Sequence, residues 1–398
     1  MGSWYEVKPS LERGGLGVFA SRTIPPGTVI MRDPAVMKLK LKQVQFTDEE
    51  VRDSFNLLST ADKIRVLKLH EGHRPFETRL MRIYKANSFG AQGFTMLHVD
   101  MSRVNHSCVP NADRQDDTEN DEKTDAAIMV AIRTIAKGEE ILICYNSNFE
   151  GMIVTQRNNI LDSYYGFCCS CSACTLPAKE RVLSDTRRRL INVLSSKCSG
   201  YEPPRLSQLD YLNRQNAENP STTMGLPQFP LRVALSIWEK TAFSVLLAEL
   251  MQAERLTNVI TANLYREAAY HLMQQMSKNP YILVMPSARY VTAWMEKAIK
   301  IVSNITGARS NQSKAIKEQW NNWQQGEQLD LYRNLKLDYL QALARGKGAG
   351  EVFAVHIGET VPNAEGLIGL KIEALSEQTC KTRLREGKGK VSCPRRLA

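Results

Sequence analysis

Three closely spaced cysteines constrain this chain more than any other feature. Cys169, Cys171 and Cys174 fall within the sequence CCSCSAC, which begins at Cys168. Thiolates at such short spacing are the ligands that tetrahedral zinc favours. A structural zinc site has four ligands, so the spacing predicts a fold that brings a fourth group to this segment. The alternative is a set of free buried thiols.

The fourth ligand has two candidates. Cys168 is adjacent to Cys169, and neighbouring residues rarely both point at one ion, whereas Cys108 lies in a distant polar stretch. The first residues, MGSWYEVKPS, lack the apolar core of a secretory signal. We therefore expect the nine cysteines to be free thiols or metal ligands rather than disulfides.

Composition sets wide limits on the function. The 398 residues are 43% hydrophobic, which suits a globular protein of two or three domains. The formal charge of +10 is weak evidence for a nucleic-acid or acidic protein partner. No apolar stretch is long enough to span a bilayer, so we expect no membrane partner and an intracellular location.

The patterns along the chain predict an α+β protein. Short strand-like runs separated by turns occupy residues 1–175, and residues 176–230 read as a helix and a linker. Long amphipathic helices follow at 231–345, in a repeat-like array without a clean repeat signature. Residues 346–398 form a glycine-rich start and a basic tail that we expect to be disordered.

Two segments interrupt the strands of the first region. Residues 40–86 contain no cysteine and read as helix, with Thr47 or Asp48 as the N-cap of helical spacing over 47–70. Residues 113–125 hold seven acids and two bases, a net charge of 2 − 7 = −5. We interpret this acidic run as a solvated loop between strands, because blocks of like charge stay hydrated.

Three further motifs carry little information when each is taken alone. Gly14-Gly15-Leu16-Gly17 precedes a strand and a proline turn, so a dinucleotide-binding loop is excluded and a plain turn remains. SRVNHSCVPNA at 102–112 places polar residues together, as a turn would. Tyr145 ends the apolar run ILICYN, where a tyrosine is usually half-buried.

The order of these motifs resembles that of the SET-domain protein methyltransferases. The match covers roughly the first 175 residues and consists of GGLGVFASRTIPPGTVI, NSF at 87–89, SRVNHSCVPNA, GEEILICYN and YYGFCCSCSAC. The chain is similar to the SET-and-MYND subfamily, which also carries a helical C-terminal region. It differs because the MYND zinc finger is replaced by the cysteine-free residues 40–86.

The resemblance implies a fold and a methyl donor. The fold would be a β-rich SET domain with a knot-like crossing at the Asn-His-Ser-Cys run, a zinc-binding post-SET segment and a helical C-terminal domain. The donor, S-adenosylmethionine, would be held by Asn105 and His106 through backbone and amide hydrogen bonds, with Phe167 stacked on the adenine. The other implied donor-site residues are Gly15, Leu16, Gly17, Asn87, Ser102 and Val104.

The resemblance also implies a reaction and a metal. Methyl groups would pass from the donor to a lysine side chain of a protein, with Tyr145 orienting the amine and Tyr165 lining its channel. One zinc ion would be bound by Cys108, Cys169, Cys171 and Cys174, and would pin the post-SET segment over the donor site.

Two other functions compete with this interpretation. A SET module that has lost catalysis would act as a binding scaffold, and a chromatin or nucleic-acid binder would use the basic charge. We expect a monomeric enzyme of the nucleus or cytoplasm, with a lysine-bearing protein as its partner and chromatin association as an open option. The retention of Tyr145, Asn105 and His106 argues against the scaffold.

Overall fold

Contacts within the chain divide it into two units. The computed structural model describes residues 3–40, 46–74, 76–91, 93–117, 125–201, 235–278 and 287–325. Of these, the first unit comprises residues up to 147 together with 155–174, and all others belong to the second. The first unit thus ends one residue before the boundary predicted at 175 and does not include residues 148–154. Most of the predicted linker and all of the predicted basic tail lie outside the described residues.

The first unit contains ten strands in its described part, arranged in four small sheets. In chain order they are β1 Tyr5–Pro9, β2 Leu16–Ala20, β3 Val29–Pro34, β4 Met37–Lys40, β5 Ser88–Ala91, β6 Phe94–Leu97, β7 Asn105–His106, β8 Ala112–Asp116, β9 Ala126–Ala131 and β10 Leu142–Ile143.

The N-terminal strands form a hairpin whose turn depends on glycine. β1 and β2 are antiparallel, with Tyr5 opposite Ala20 and Pro9 opposite Leu16. Gly14 and Gly15 have φ angles of +77° and +68° in the connection. Side chains with a Cβ rarely adopt this left-handed conformation, so the two glycines let the chain turn tightly into β2.

The central sheet has the strand order β3-β9-β8 and is antiparallel throughout. Five of the six residues of β9 are buried, and three of them, Ala127, Met129 and Ala131, pack with residues of β2 and β3 in one apolar core. β8 begins at Ala112, so residues 113–116 of the predicted acidic loop belong to a strand. The cross-strand partner β9 overrides their charge, because pairing satisfies the backbone groups of this segment.

Three helices occupy the described part of the insert between β4 and β5: α1 Asp48–Asn56, α2 Thr60–Leu67 and α3 Arg79–Asn87. Thr47 caps α1 in a capping box with Glu50. The single helical run expected over 47–70 is divided, since the hydroxyl of Ser59 accepts the Asp62 N–H and starts a second helix.

The insert has its own apolar core on the sheet β4-β6-β5. Val51 and Tyr84 are fully buried there, and the Tyr84 hydroxyl donates to the Thr95 carbonyl at 2.9 Å. A helical core therefore stabilises this region without the cysteines that a zinc finger would need.

His98, which follows β6, is buried as a neutral imidazole. Its Nδ1 lies 2.8 Å from the Asp33 carbonyl oxygen, while its Nε2 has no partner among the described residues. A proton on Nδ1 satisfies this geometry, and burial lowers the pKa of His98 because the charged form would lose its hydration.

Stability of the first unit is therefore expected to depend on His98 in mild acid. The folded-state pKa lies below the unfolded value, so the unfolded chain binds the proton first and stability falls as the pH drops below about 6.5. Between pH 7.5 and 5.5, the free energy of unfolding measured in urea should fall less for the His98→Gln variant than for the wild type. An identical pH dependence in both proteins would contradict the neutral, buried state.

The second unit is helical in its described part. It contains α5 Ala178–Cys198, α6 Ile237–Ala253, α7 Val259–Lys278, α8 Ser287–Thr306 and α9 Asn311–Gln325. Successive helices of this described part pack on one another, and the repeat-like array stays a prediction. The fully buried Arg188 is bound by Glu254, with Nε and Oε2 3.2 Å apart. No helix among the described residues has the length and apolar character needed to cross a membrane.

Candidate active site

The Asn-His-Ser-Cys run lies beside the segment that ends in Tyr145. β7 and β10 are parallel, with Asn105 opposite Leu142 and His106 opposite Ile143. The contact continues beyond the strands, since the Ser107 N–H donates to the Ile143 carbonyl at 2.9 Å. Two stretches far apart in sequence are therefore fixed in register.

The segment 139–143 is also held on its other edge. The Ile141 N–H donates to the Val18 carbonyl at 2.7 Å, and the Ala20 N–H donates to the Glu139 carbonyl at 2.9 Å. Residues 139–143 thus run between β2 and the 105–111 stretch. The knot-like crossing requires this arrangement, and its threading remains a prediction.

A largely buried ion pair binds both residues of the Asn-His run. Arg13 Nε lies 3.1 Å from Glu140 Oε2, and the two side chains are 14% and 11% exposed. Arg13 Nη1 donates to the His106 carbonyl at 2.9 Å, and Asn105 Nδ2 donates to Glu140 Oε1 at 2.7 Å. The pair joins the hairpin connection, β7 and the segment before β10 in one polar network.

Gly17 is required by this network. A Cβ at this position would lie 2.3 Å from Glu140 Oε1 and 3.1 Å from Asn105 Nδ2, so a side chain here would displace the Glu140 carboxylate from the network. Gly15, by contrast, faces open space, and Leu16 is 46% exposed. The glycine motif therefore has an inner face against the network and an outer face open to a ligand.

The amide of Asn105 has a fixed orientation. Its Nδ2 donates to the Leu16 carbonyl at 3.1 Å as well as to Glu140, so both amide hydrogens are used. Its Oδ1 has no partner within the described part of the chain. The side chain therefore offers a ligand an acceptor rather than a donor, which suits a positively charged group.

Asn87 and Ser102 make their hydrogen bonds within the protein. Asn87 Nδ2 donates to the carbonyls of His70 and Ile83, both at 2.7 Å. Ser102 Oγ lies 3.0 Å from the Asn87 carbonyl and 2.6 Å from the His98 carbonyl. These contacts order the loop before β7, and direct contact of these two side chains with a methyl donor stays a prediction.

Asp33 anchors the same loop. Its carboxylate accepts the N–H groups of Asp100 at 2.7 Å and of Met101 at 2.9 Å, and burial raises its pKa. The loop then presents the Val104 carbonyl to the Tyr145 hydroxyl, which donates to it at 2.9 Å. A buried carboxylate thus orders the loop whose Val104 carbonyl accepts the hydrogen bond from Tyr145.

Four aromatic rings meet next to this hydrogen bond. The Tyr145 ring centroid lies 5.0 Å from that of Tyr165 and 5.1 Å from that of His106. Phe167 completes the cluster, with centroids 6.5 Å from Tyr145 and 6.2 Å from Tyr165. The structure therefore brings together four side chains that the sequence analysis had assigned to the donor site and the lysine channel.

The ionisable rings of this aromatic cluster are all neutral at physiological pH. Burial raises the pKa of Tyr145 and raises that of Tyr165 to about 12. Burial lowers the pKa of His106 to about 4. The Tyr145 N–H donates to His106 Nδ1 at 3.1 Å, so the imidazole proton is on Nε2, which faces Cys108 Sγ at 3.3 Å. The tyrosines can donate hydrogen bonds but do not act as strong bases.

Four buried cysteines meet on the far side of His106. The sulfur atoms of Cys108, Cys169, Cys171 and Cys174 all lie within 4.8 Å of one another. Cys108 Sγ is 3.9 Å from Cys169 Sγ and 3.6 Å from Cys174 Sγ. A tetrahedron with zinc–sulfur bonds of about 2.3 Å has edges of about 3.8 Å, so this donor set fits zinc.

The alternative ligand does not belong to this cysteine cluster. Cys168, although adjacent to Cys169, is not among the four clustered sulfurs. Cys108 enters from a position before β8, although it lies far from the other three in sequence. The polar run thus joins the donor-site network to the cysteine cluster through adjacent residues.

Several supporting residues had no signal in the sequence analysis. Arg13 and Asp33 lie outside the motifs that drew attention, and Arg157 lies in α4, Val154–Tyr165. Glu140 stands within the quoted run GEEILICYN. Charged residues that become buried have no local pattern, and the need for glycine at position 17 is visible only once the Glu140 carboxylate lies beside it.

Comparison with known proteins identifies the class. Residues 15–146 match the family model described as SET domain, and this range includes the hairpin strand β2, β7, β10 and Tyr145. Residues 15–146 therefore match a SET domain, and the resemblance stated from the motifs is confirmed.

Named relatives refine this class. Over 194 residues the chain is 27% identical to histone-lysine N-methyltransferase set5 of Schizosaccharomyces pombe, a match that spans 46% of this chain and 55% of the relative. Over 74 residues it is 40% identical to protein-lysine N-methyltransferase SMYD4 of Mus musculus, spanning 19% of this chain and 8% of the relative. The chain is thus close to the SMYD proteins, but the match covers about half or less of these relatives.

A solved structure, the SET domain of LSMT bound to lysine and AdoHcy, is similar over 85% of this chain and 91% of that one. The identity is 11% and the TM-score is 0.27. A similarity this weak supports no inference about this chain.

Proposed function

We propose that the protein is an S-adenosylmethionine-dependent protein-lysine N-methyltransferase. The observation that carries the proposal is the meeting of Tyr145, Tyr165, His106 and Phe167 beside Asn105, inside a SET domain. The names of the relatives, lysine methyltransferases in each case, support the same reaction.

The methyl donor would bind between the outer face of the glycine motif and the Asn-His run. Asn105 Oδ1 would accept a hydrogen bond from the donor ammonium, because both amide hydrogens are already used. Gly15 leaves open space for close approach of the ligand to the backbone. The ring of Phe167 would stack on the adenine, at the edge of the aromatic cluster. S-adenosylmethionine supplies a methyl group activated by its positive sulfonium.

The reaction needs a neutral lysine amine held in line with the methyl group. The nitrogen lone pair forms the new N–C bond as the S–C bond breaks, and the electron pair of the broken bond goes to sulfur. The methylated nitrogen is then positively charged and releases one proton to solvent. A channel lined by Tyr145 and Tyr165 would lower the lysine pKa, since burial disfavours the ammonium form. The Tyr145 hydroxyl would orient the amine, and alignment supplies much of the acceleration.

Zinc would be bound by the four clustered cysteines and would act structurally. In a site of this kind the metal supplies folding free energy rather than chemistry. The pinned segment carries Phe167 and follows Tyr165 directly, so the cysteine cluster would order one wall of the channel.

The partner would be a protein that presents a lysine side chain, and the action would take place in the nucleus or cytoplasm. The name of the fission-yeast relative, a histone-lysine methyltransferase, supports chromatin as one location of the substrate. The number of methyl groups and the identity of the substrate depend on the channel width and on contacts beyond the described site.

Asn105→Ala is expected to weaken binding of S-adenosylmethionine. The truncation removes the acceptor for the ammonium and leaves the Glu140 carboxylate without one donor, at a cost of about 1–3 kcal/mol for each unsatisfied group. Calorimetric titration with the donor measures the change, and a melting curve confirms the fold. Unchanged affinity in a folded variant would remove Asn105 from the donor site.

The proposal is tested by incubating the protein with labelled S-adenosylmethionine and a whole-cell extract. Mass spectrometry of the labelled bands is expected to find methyl groups on lysine. Tight donor binding without any transfer would instead indicate the catalytically inactive scaffold, and steeply salt-dependent DNA binding without donor binding would indicate a nucleic-acid binder. A Tyr145→Phe preparation run in parallel separates true transfer from a contaminating enzyme.

A further inference from the structure

A buried arginine lies against the four-cysteine cluster. The Arg157 side chain is 0% exposed. Its Nε lies 3.2 Å from Cys108 Sγ, and its Nη2 lies 3.5 Å from Cys174 Sγ. The guanidinium therefore contacts two sulfurs that come from opposite ends of the site, one from the polar run and one from the CCSCSAC segment.

The position of Arg157 on its helix adds a mechanical link. The neighbouring residue on α4, Asn158, accepts the Cys169 N–H at 2.9 Å through its Oδ1. Two consecutive residues in the first half of α4 thus hold the cysteine segment, and the same helix ends at Tyr165. The cysteine cluster and the channel tyrosine are therefore fixed to one rigid element.

Charge explains why an arginine occupies this place. A guanidinium remains protonated in proteins, and burying it without a negative partner is very costly. Four thiolates around one zinc ion carry a net charge of −2 in a buried site. The guanidinium of one arginine carries a charge of +1, so it offsets half of the −2 charge. The two sulfurs to which it donates are in turn the negative partners that its burial requires.

We propose that Arg157 is the charge-compensating residue of the zinc site, and that it sets the affinity of the four cysteines for the metal. The inference rests on the zinc ligands given under the proposed function. It assigns a role to a residue that neither binds the metal nor touches the methyl donor. Residues that donate hydrogen bonds to metal ligands typically change metal affinity by about 10–100-fold when replaced.

The second unit offers a matched control. Arg188 is also 0% exposed, but it is bound by the carboxylate of Glu254 rather than by sulfur. Arg188→Met and Arg157→Met each remove one buried guanidinium and keep a similar side-chain volume. Loss of stability is expected in both variants, so stability alone does not distinguish a zinc-specific role.

The experiment measures zinc directly. Wild type, Arg157→Met, Arg157→Lys and Arg188→Met are purified with zinc, and the metal is titrated out with a chelator of known affinity while elemental analysis follows the protein-bound fraction. We expect zinc affinity to fall about 10–100-fold in Arg157→Met. Arg157→Lys should retain more of it, because the charge stays but the two-pronged contact is lost. Arg188→Met should match the wild type.

The outcomes separate this inference from the zinc site itself. A wild-type protein that retains no zinc would overturn the ligand assignment. Equal zinc affinity in the wild type and in folded Arg157→Met would overturn the role of Arg157 and leave the zinc site standing. If Arg157→Met does not fold, Arg157→Gln takes its place, because it keeps a polar side chain but removes the charge, and wild-type affinity in that variant rejects the proposal.

Discussion

Replacing Tyr145 by phenylalanine is expected to lower methyl transfer to lysine by about 10²–10³-fold, the range seen when one preorganised hydrogen-bond donor is removed. Binding of S-adenosylmethionine should be nearly unchanged. The variant keeps the ring, and with it the contacts with Tyr165 and His106 at centroid distances of 5.0 and 5.1 Å. It loses only the hydroxyl that donates to the Val104 carbonyl, so the effect reports on orientation of the amine.

Two measurements decide this prediction: the rate of labelled methyl transfer, and calorimetric titration with the donor. Tyr164→Phe is the matched control, because Tyr164 neighbours Tyr165 on α4 but has its ring under the Arg74 guanidinium, at 4.2 Å. That variant should retain the wild-type rate. Full transfer activity in a folded Tyr145→Phe protein would exclude Tyr145 from the mechanism.

Loss of zinc is expected to abolish methyl transfer while the helical second unit remains folded. Without the metal, no ion joins the four buried cysteines. The segment that carries Phe167 is then no longer held in place. Structural zinc sites contribute on the order of 10 kcal/mol of apparent binding free energy. A chelator titration that follows activity and helical content together should show activity falling first.

Single substitutions identify the ligands. Cys108→Ser should lose the bound zinc in elemental analysis, whereas Cys168→Ser should keep it, because Cys168 lies outside the cluster of four sulfurs. Cys198→Ser, which changes a free cysteine at the end of α5, is the control for general thiol loss. Zinc retained by Cys108→Ser but lost by Cys168→Ser would show that all four ligands come from the CCSCSAC segment. The proposed link between this segment and the polar run at 102–112 would then be wrong.

Local chemistry explains what could be predicted about the helices and the turn. Thr47 caps α1 because its hydroxyl accepts a backbone N–H three residues on, a pattern visible in the sequence. Ser59 does the same for α2, and the division of the predicted run at this residue could have been read from Ser59 and Asp62. The glycines before β2 likewise follow from the backbone conformation of a tight turn.

Long-range pairing explains what could not be predicted. The acidic run after Ala112 begins as a strand because β9 supplies partners for its backbone, and no local pattern contains that partner. The ion pair of Arg13 and Glu140 joins residues that are 127 positions apart. Charged side chains are normally read as exposed, so their burial becomes visible only when the surrounding elements are packed.

The sequence alone determined the class of the domain and predicted the chemistry of its site. Closely spaced cysteines, the Asn-His-Ser-Cys run and Tyr145 are short motifs whose residue types are dictated by what they bind, and they pointed to a SET domain, a methyl donor and zinc. The tertiary structure alone decided how these motifs are supported. It placed Arg157 against the thiols, used both amide hydrogens of Asn105 within the protein and left Cys168 outside the cluster. These features depend on which distant groups share a buried space, where an unpaired charge or amide is too costly to remain.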